Sequence, residues 1–196
     1  MVMDTCNIMP AEEFEKLFPE IHQQVCEELG MGFVPLIFRM VAGLNPAIAL
    51  SSWNMVRYNL CSGSMPRITK ELMFSYVAHK KNCEYCLTAH HAMAIKHGFS
   101  DEEMKTILDD PDNIRNRSLR LLIKFTDASL TNDNERIAIC REELVDAGFD
   151  SNEIAEVVGM VSCALYMVNI ADSLGVEADK GFYDVIAQNG KVAWES

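Results

Sequence analysis

Two cysteines and a histidine stand close together near the middle of the chain. Cys83 and Cys86 are three residues apart, and His90 follows Cys86 by four. Side chains three and four apart share one face of a helix, so a helix here would align all three. If Asn82 caps that helix, both thiols lie in its first turn, where free N–H groups and the helix dipole stabilise a thiolate. The pattern predicts a redox dithiol beside a histidine that moves protons.

A carboxylate is available to orient that histidine. Glu71 lies twelve residues before Cys83, on the preceding predicted helix. If the two helices pack as neighbours, its carboxylate can reach the imidazole and the thiols, which completes a nucleophile, a resolving thiol, a base and a group that orients the base. The segment 66–100 also carries five basic and two acidic residues, a net charge of +3. Such a local field favours thiolate over thiol, although a solvated helix surface would carry the same charges.

Each of these residues also has a purely structural interpretation. A lone Cys-x-x-Cys suits two buried thiols or half of a zinc site as well as a redox pair. His90 alone suits a satisfied core or surface histidine, and Glu71 alone suits a solvated helix residue. A structural zinc module on Cys83, Cys86 and His90 is therefore an alternative, with Glu71 as a fourth ligand. The sequence shows no second Cys/His pair with suitable spacing to support it.

The rest of the chain is typical of a succession of helices. Apolar residues recur at spacings of three and four, and no stretch of period two persists. Pro66 can begin the helix that carries Glu71, and Gly98 can end the helix that carries the cysteines. We therefore expect an all-α bundle in a single domain over 1–196. Its parts would be an N-terminal helical extension (1–65), a unit containing the cysteine pair (66–110) and a second helical unit (117–180).

One internal similarity suggests a duplicated unit. The segment His97–Met104 resembles Ala147–Ile154 at an offset of 50 residues. In both, a Gly-Phe corner precedes a residue pattern that is typical of a helix capping box. A generic helix–Gly–helix corner and the trace of a duplication are both consistent with this. The second copy has no cysteine pair before it, so the chemistry would belong to the first copy alone.

Composition excludes several classes of protein. The chain has 196 residues, a net charge of −12, 49% hydrophobic residues and 23% charged residues. These values are typical of a globular protein and argue against wholesale disorder and against a general nucleic-acid binder. The most apolar stretch, Val34–Leu44, is too short to span a membrane and contains Arg39. Scattered cysteines such as Cys6 fit buried thiols in a reducing cytoplasm, and no signal peptide is visible.

The spacing Glu71-x11-Cys83-x2-Cys86-x3-His90 resembles the signature of the alkylhydroperoxidase D-like (AhpD-like) family, within the carboxymuconolactone decarboxylase superfamily. The likeness extends in both directions along the chain. Segments 32–39 and 65–71 resemble the N-terminal half of its peroxidase-related branch, and segment 169–176 resembles the C-terminal signature of that branch. The resemblance therefore covers residues from about 30 to 180.

This resemblance implies an all-helical AhpD-like homo-oligomer that reduces organic or hydrogen peroxide. By the family's pattern Cys86 is the attacking thiolate and Cys83 the resolving thiol, while His90 with Glu71 forms the proton relay. It also implies a dithiol or disulfide-reductase electron donor. No metal, haem, flavin or other cofactor is expected, and neither a nucleic acid nor a membrane is expected as a partner.

One departure from the family concerns the residue between the cysteines. Well-studied peroxidases of the family carry histidine there, whereas this chain has Tyr85. A phenol has a pKa of about 10, so Tyr85 can donate a hydrogen bond as an auxiliary group but is rarely ionised. We therefore expect a slow peroxidase or a general thiol–disulfide oxidoreductase. A carboxymuconolactone decarboxylase-like enzyme, whose chemistry uses no redox dithiol, and a non-catalytic protein that keeps the fold are further alternatives.

Overall fold

Every regular element in the part of the chain that the structure describes is a helix. The structure is a computed structural model that describes residues 8–188. In chain order its α-helices are α1 (Ala11–Leu17), α2 (Pro19–Leu29), α3 (Leu36–Leu44), α4 (Pro46–Val56), α5 (Arg67–Lys81), α6 (Glu84–Lys96), α7 (Asp101–Asp109), α8 (Arg117–Thr131), α9 (Asn134–Asp146), α10 (Ser151–Leu174) and α11 (Lys180–Ala187). The expected all-α fold is confirmed. Cys6 and both ends of the predicted domain lie outside the described residues.

Proline and asparagine set the boundaries of the N-terminal helices. Pro19 interrupts the first apolar stripe and becomes the first residue of α2, so α1 and α2 are separate helices. Asn45 caps α4, because its side chain accepts a hydrogen bond from the N–H of Ala47 at 3.0 Å. A π-helical segment (Arg57–Cys61) then continues α4. Such segments are rare and occur often at functional sites.

The centre of the fold is the hairpin formed by α5 and α6. α5 contains an unbroken run of nine buried residues, 70–78, and packs against α6, α8 and α10. The turn between α5 and α6 depends on Asn82, whose φ of 57° is left-handed. Asn82 therefore ends α5, and the cap of α6 is Cys83. This corrects the predicted role of Asn82 as the N-cap of the next helix.

The helix boundaries repeat at an offset of 50 residues. α5 and α8 each have 15 residues and end at a left-handed asparagine, Asn82 and Asn132. α6 and α9 each have 13 residues. Complete capping boxes then begin α7, at Ser100 with Glu103, and α10, at Asp150 with Glu153. The similarity noticed at two corners thus extends over consecutive helices of equal length.

α10 is the most apolar long helix that the structure describes. By length and composition alone it could cross a membrane, with a mean hydropathy of 1.8. It has a buried face that includes Val157, Met160 and Ala164, and it packs against α5 and the π-helical segment. The packing of the fold accounts for the apolar composition of that face.

Candidate active site

Glu71 and His90 form a hydrogen-bonded pair between α5 and α6. Glu71 Oε2 lies 2.6 Å from His90 Nδ1, and the Glu71 side chain is fully buried. The His90 ring stacks on Phe74, with ring centroids 3.4 Å apart and an interplanar angle of 16°. The carboxylate and the stacked ring together fix the orientation of the imidazole. Because Glu71 accepts at Nδ1, Nε2 is the nitrogen left to exchange a proton.

Arg67 balances the charge of the buried Glu71 carboxylate. Arg67 Nε donates to Glu71 Oε1 at 2.6 Å, four residues apart on α5. Burial opposes ionisation of Glu71, but the nearby Arg67 and the hydrogen bond with His90 outweigh it and lower the pKa of this carboxyl to about 2. Glu71 is therefore a carboxylate throughout the physiological range and can accept the hydrogen bond of the imidazole.

The two cysteines are buried at the start of α6. Cys83 is the N-cap residue, with no capping hydrogen bond from its side chain, and Cys86 lies in the first turn. Cys83 is 0% exposed and Cys86 is 2% exposed. A hydrogen bond with the Cys83 thiol is the largest influence on the Cys86 thiol, so the two sulfurs are neighbours. The cysteine pair predicted from the sequence is therefore brought together.

The environment of Cys86 differs from the predicted one. The hydrogen bond with Cys83, burial, and the nearby Asp172 all raise the pKa of the Cys86 thiol well above its usual value. The basic residues of segment 66–100 are engaged elsewhere: Arg67 binds Glu71, and Lys70 forms an ion pair with Glu156 at 3.0 Å. The expected local field that favours thiolate is therefore wrong for Cys86, since the hydrogen bond with Cys83 and burial dominate.

Cys86 faces a small internal cavity of about 50 Å³. Cys86, rather than Cys83, forms part of its wall. Most of the remaining wall is apolar and includes aromatic rings and methionine side chains, among them Met31, Phe38, Phe74, Met93, Met167 and Phe182. Four further residues with polar groups line it, Arg67, Glu71, Tyr85 and His90. A cavity of this volume holds a few water molecules or a small apolar group.

The structure brings Cys86 and His90 to one cavity wall without a direct hydrogen bond between them. Within residues 8–188, the hydrogen bonds of His90 lead to Glu71 and those of Cys86 to Cys83. A proton passing from Cys86 to His90 would therefore travel through a molecule in the cavity. The prediction that Glu71 reaches the imidazole is confirmed by the 2.6 Å contact.

Tyr85 is directed towards α11 and the start of α3. Its hydroxyl donates to Asp179 Oδ2 at 3.4 Å and accepts from the N–H of Ile37 at 3.4 Å. Asp179 in turn accepts from the N–H of Leu36. Burial raises the pKa of Tyr85 well above its usual value. Tyr85 is thus a neutral group that ties α6 to α3 and α11.

Two residues of the site were not found by sequence reasoning. Arg67 was counted only as part of a basic segment, although its spacing of four from Glu71 on a predicted helix would have indicated the pair. Phe74 could have been found only as the residue three after Glu71 on the same helix face. Metal binding has no geometric support among residues 8–188, where no group of three or more His, Cys, Asp or Glu side chains is arranged to hold an ion.

Comparison with known proteins finds one family along part of the chain. Residues 49–111 match the carboxymuconolactone decarboxylase family, a segment that includes Glu71, Cys83, Cys86 and His90. Over this third of the chain the sequence is similar to that family, and the fold is AhpD-like. No curated protein matches the chain.

Several solved structures share the fold of this chain. An alkylhydroperoxidase AhpD core from Ralstonia eutropha JMP134, an uncharacterized peroxidase-related protein, superposes with a TM-score of 0.76 at 16% identity, covering 90% of this chain and 94% of its own. A peroxidase-related protein from Silicibacter sp. TM1040 gives 0.75 at 18% identity, covering 93% and 91%. The debrominase Bmp8 gives 0.77 at 13% identity, covering 95% and 99%. At these identities the likeness concerns the fold, which is shared by proteins with different names.

Proposed function

We propose that this protein is a thiol-dependent peroxidase or thiol–disulfide oxidoreductase that works through the Cys83–Cys86 dithiol. The observation that carries the proposal is the arrangement around the cavity. Cys86, Glu71 and His90 line the same cavity, and Cys83 lies next to Cys86 outside its wall. This gives a reacting thiol, a base with a fixed orientation and a second thiol within reach.

The proposed reaction has three steps. His90 takes the proton of Cys86, and the thiolate attacks the terminal oxygen of a hydroperoxide, which forms Cys86 sulfenic acid and releases an alcohol or water. Cys83 then attacks the sulfenic sulfur, so that a Cys83–Cys86 disulfide forms and water leaves. A dithiol or disulfide-reductase donor reduces the disulfide by thiol–disulfide exchange.

The environment of Cys86 supports a slow enzyme. Because burial and its neighbours raise the pKa of Cys86, only a small fraction is thiolate at neutral pH, and the rate depends on deprotonation by His90. Tyr85 does not replace a second histidine, since its hydroxyl contacts Asp179 and Ile37. We therefore expect the rate of Cys86 oxidation to rise with pH above neutrality.

The first experiment counts thiols in the reduced full-length protein by mass spectrometry, before and after one equivalent of ethyl hydroperoxide, which is small enough for the cavity. We expect the loss of two thiols and a Cys83–Cys86 disulfide. Cys86→Ser should abolish both, and Cys163→Ser should leave both unchanged, since Cys163 is an equally buried thiol outside the cavity wall. His90→Asn should slow the reaction about a hundredfold, in line with loss of a general base.

Three other outcomes would contradict the proposal. Thiols that stay reduced, together with stoichiometric zinc in protein purified without chelator, would favour a structural zinc module. Conversion of a carboxymuconolactone by a Cys83→Ser, Cys86→Ser double variant would favour a decarboxylase-like enzyme. A disulfide that forms but is reduced by no dithiol donor would favour a non-catalytic protein.

We also propose that the chain forms a homo-oligomer in a reducing compartment such as the cytoplasm. Four large apolar side chains stay exposed between the end of α3 and the π-helical segment, Leu44, Ile48, Leu50 and Tyr58. A neighbouring subunit would cover such a surface. Light scattering on the full-length protein tests this, and a monomer at every concentration would contradict it.

A further inference from the structure

One nitrogen of Arg67 has no hydrogen-bond partner although it is buried. Nε donates to Glu71 at 2.6 Å, and Nη1 contacts both the carbonyl of Glu28 and the sulfur of Cys61 at 3.3 Å. Nη2 has no partner among residues 8–188. Folded proteins rarely leave a buried donor of a charged group unpaired, because the group has lost its hydration without compensation.

The position of the Arg67 guanidinium suggests a role for its unpaired N–H group. Arg67 lines the same cavity as Cys86 and His90. Both oxygens of Glu71 are engaged, one by Arg67 and one by His90. The hydroxyl of Tyr85 is also engaged, by Asp179 and the N–H of Ile37. Arg67 is therefore a permanently charged residue of this wall that has one unpaired donor.

We propose that Arg67 is a further catalytic residue, whose Nη2–H donates to the inner oxygen of a hydroperoxide and stabilises the alkoxide that forms there. This rests on the proposed peroxidase function. The Cys86 thiolate forms a bond to the terminal oxygen as the O–O bond breaks, and the electron pair leaves on the inner oxygen. The sulfur is oxidised to sulfenic acid and the peroxide is reduced to an alkoxide, which takes the proton that His90 removed from Cys86.

The charges around the cavity are consistent with a role of Arg67 in stabilising the alkoxide. Glu71 compensates Arg67 in the resting site, and the proton moved to His90 is matched by the Cys86 thiolate. The developing alkoxide thus meets two cationic donors, His90 and Arg67. Arginine keeps its proton, so it stabilises negative charge without competing as an acid. The apolar remainder of the cavity suits the short alkyl group of a small neutral organic hydroperoxide.

The test separates reaction with a peroxide from general reactivity of the thiol. Full-length protein carrying Cys83→Ser is reduced, and two second-order rate constants are measured at Cys86 by peptide mapping. One is oxidation by ethyl hydroperoxide, which is small enough for the cavity, with the sulfenic acid trapped by a 1,3-dione. The other is alkylation by iodoacetamide, which needs the thiolate but has no peroxide oxygen to stabilise.

We expect Arg67→Gln to slow oxidation about a hundredfold, as loss of a transition-state donor does in other enzymes, and to change alkylation less than about threefold. Arg67→Lys keeps the charge beside Glu71 and should retain part of the oxidation rate. Arg57→Gln is the matched control, because Arg57 forms a partly exposed ion pair with Glu28 and does not line the cavity. It should change neither rate.

Equal losses of oxidation and alkylation in both Arg67 variants would overturn the proposal, since Arg67 would then act only by holding Glu71. If Arg67→Gln fails to fold by circular dichroism, the Arg67→Lys ratio of the two rates decides alone. If the parent protein alkylates at Cys86 but no hydroperoxide oxidises it, the proposed function fails as well, and that result is distinct because no variant is needed to see it.

Discussion

The hairpin α5–α6 and the hairpin α8–α9 have the same helix lengths and the same left-handed asparagine turn, yet they differ in every position that could do chemistry. At an offset of 50 residues, Glu71 corresponds to Leu121 and His90 to Cys140. Phe74, which stacks on His90, corresponds to Lys124. A common backbone frame therefore supports an acid–base pair in one hairpin and not in the other.

The surroundings of the two hairpins differ in the same way. Cys86, His90 and Met93 line the buried cavity of about 50 Å³. Their counterparts Arg136, Cys140 and Glu143 line an open groove of about 380 Å³. The groove has charged walls, whereas the cavity is covered by α3, α11 and apolar side chains. The covering of the first hairpin, more than its own helices, accounts for the difference between a charged groove and a mostly apolar cavity in which buried dipoles act strongly.

The N-cap residues of α6 and α9 differ in how much they stabilise their helices. Asp133 begins α9, and its carboxylate accepts from the N–H of Arg136 at 3.1 Å. Cys83 occupies the corresponding position of α6 and makes no capping bond. A good N-cap contributes about 1 kcal/mol, so α6 gives up that stability where the resolving thiol stands.

The largest expected effect is on the rate of peroxide reduction, and it distinguishes Cys86 in the first hairpin from Cys140 in the second. Cys86→Ser should lower peroxide reduction about a thousandfold or more, because the nucleophile is lost. Cys140→Ser changes a cysteine of similar burial at the position that corresponds to His90 and should leave the rate unchanged. Steady-state consumption of hydroperoxide with a dithiol donor measures both. Comparable losses in the two variants would show that the second hairpin takes part in the chemistry.

The second prediction concerns acid stability, because only the first hairpin buries a carboxylate at this position. The pKa of Glu71 is about 2 in the folded protein and about 4.5 ordinarily. A lowered carboxyl pKa stabilises the fold above the ordinary pKa, and this stabilisation is lost as the pH falls from about 4.5 to 2. The linkage amounts to about 3 kcal/mol.

Urea unfolding between pH 2 and pH 6 measures this loss in the parent protein and in variants. Glu71→Gln should be less stable at neutral pH, because Arg67 loses its partner, and should show a flatter dependence below pH 4.5. Glu143→Gln, an exposed carboxyl in the second hairpin, should keep the parent's dependence. An unchanged slope in Glu71→Gln would place the acid sensitivity elsewhere.

The sequence predicted more of the frame than of the environment. Helical periodicity, the capping boxes and the Glu71–His90 contact follow from local spacing, and local spacing is what one sequence displays directly. Asn82 was misplaced because asparagine is favoured both as an N-cap and in the left-handed position that ends a helix. Its neighbours alone do not distinguish these roles.

The electrostatics of Cys86 could not be predicted for a different reason. The pKa of the Cys86 thiol is raised by the hydrogen bond with Cys83, by burial and by Asp172, which lies on α10 and is 86 residues away along the chain. The basic residues that are near in sequence point to partners on α5 and α10. Proximity along a helical chain thus indicates which residues share a face, but it does not indicate which groups surround a buried atom.

A third, smaller effect tests the cost assigned to the N-cap. Cys83→Ser introduces a hydroxyl that can accept from the free N–H groups of α6 and should stabilise the protein by up to about 1 kcal/mol while preventing disulfide formation. Asp133→Ala removes the existing cap of α9 and should destabilise by about 1 kcal/mol. Urea unfolding of reduced protein measures both. A loss of stability in Cys83→Ser would mean that packing of the buried Cys83 thiol stabilises the protein more than a capping hydrogen bond from serine does.

The smallest effect compares the two left-handed asparagines, Asn82 and Asn132, whose φ angles are 57° and 53°. Replacement by alanine at either position should cost about 1 kcal/mol, because a Cβ side chain without a local hydrogen bond is strained there, whereas glycine should be nearly neutral. Unfolding should therefore rank the glycine variant above the alanine variant equally at both sites. Activity should distinguish them, since Asn82→Ala displaces the adjacent Cys83 and slows disulfide formation, while Asn132→Ala leaves the rate unchanged. If both alanine variants slow it alike, the two hairpins are coupled through α5 and α8, which pack against each other, and the second hairpin then helps to hold the first in its reactive geometry.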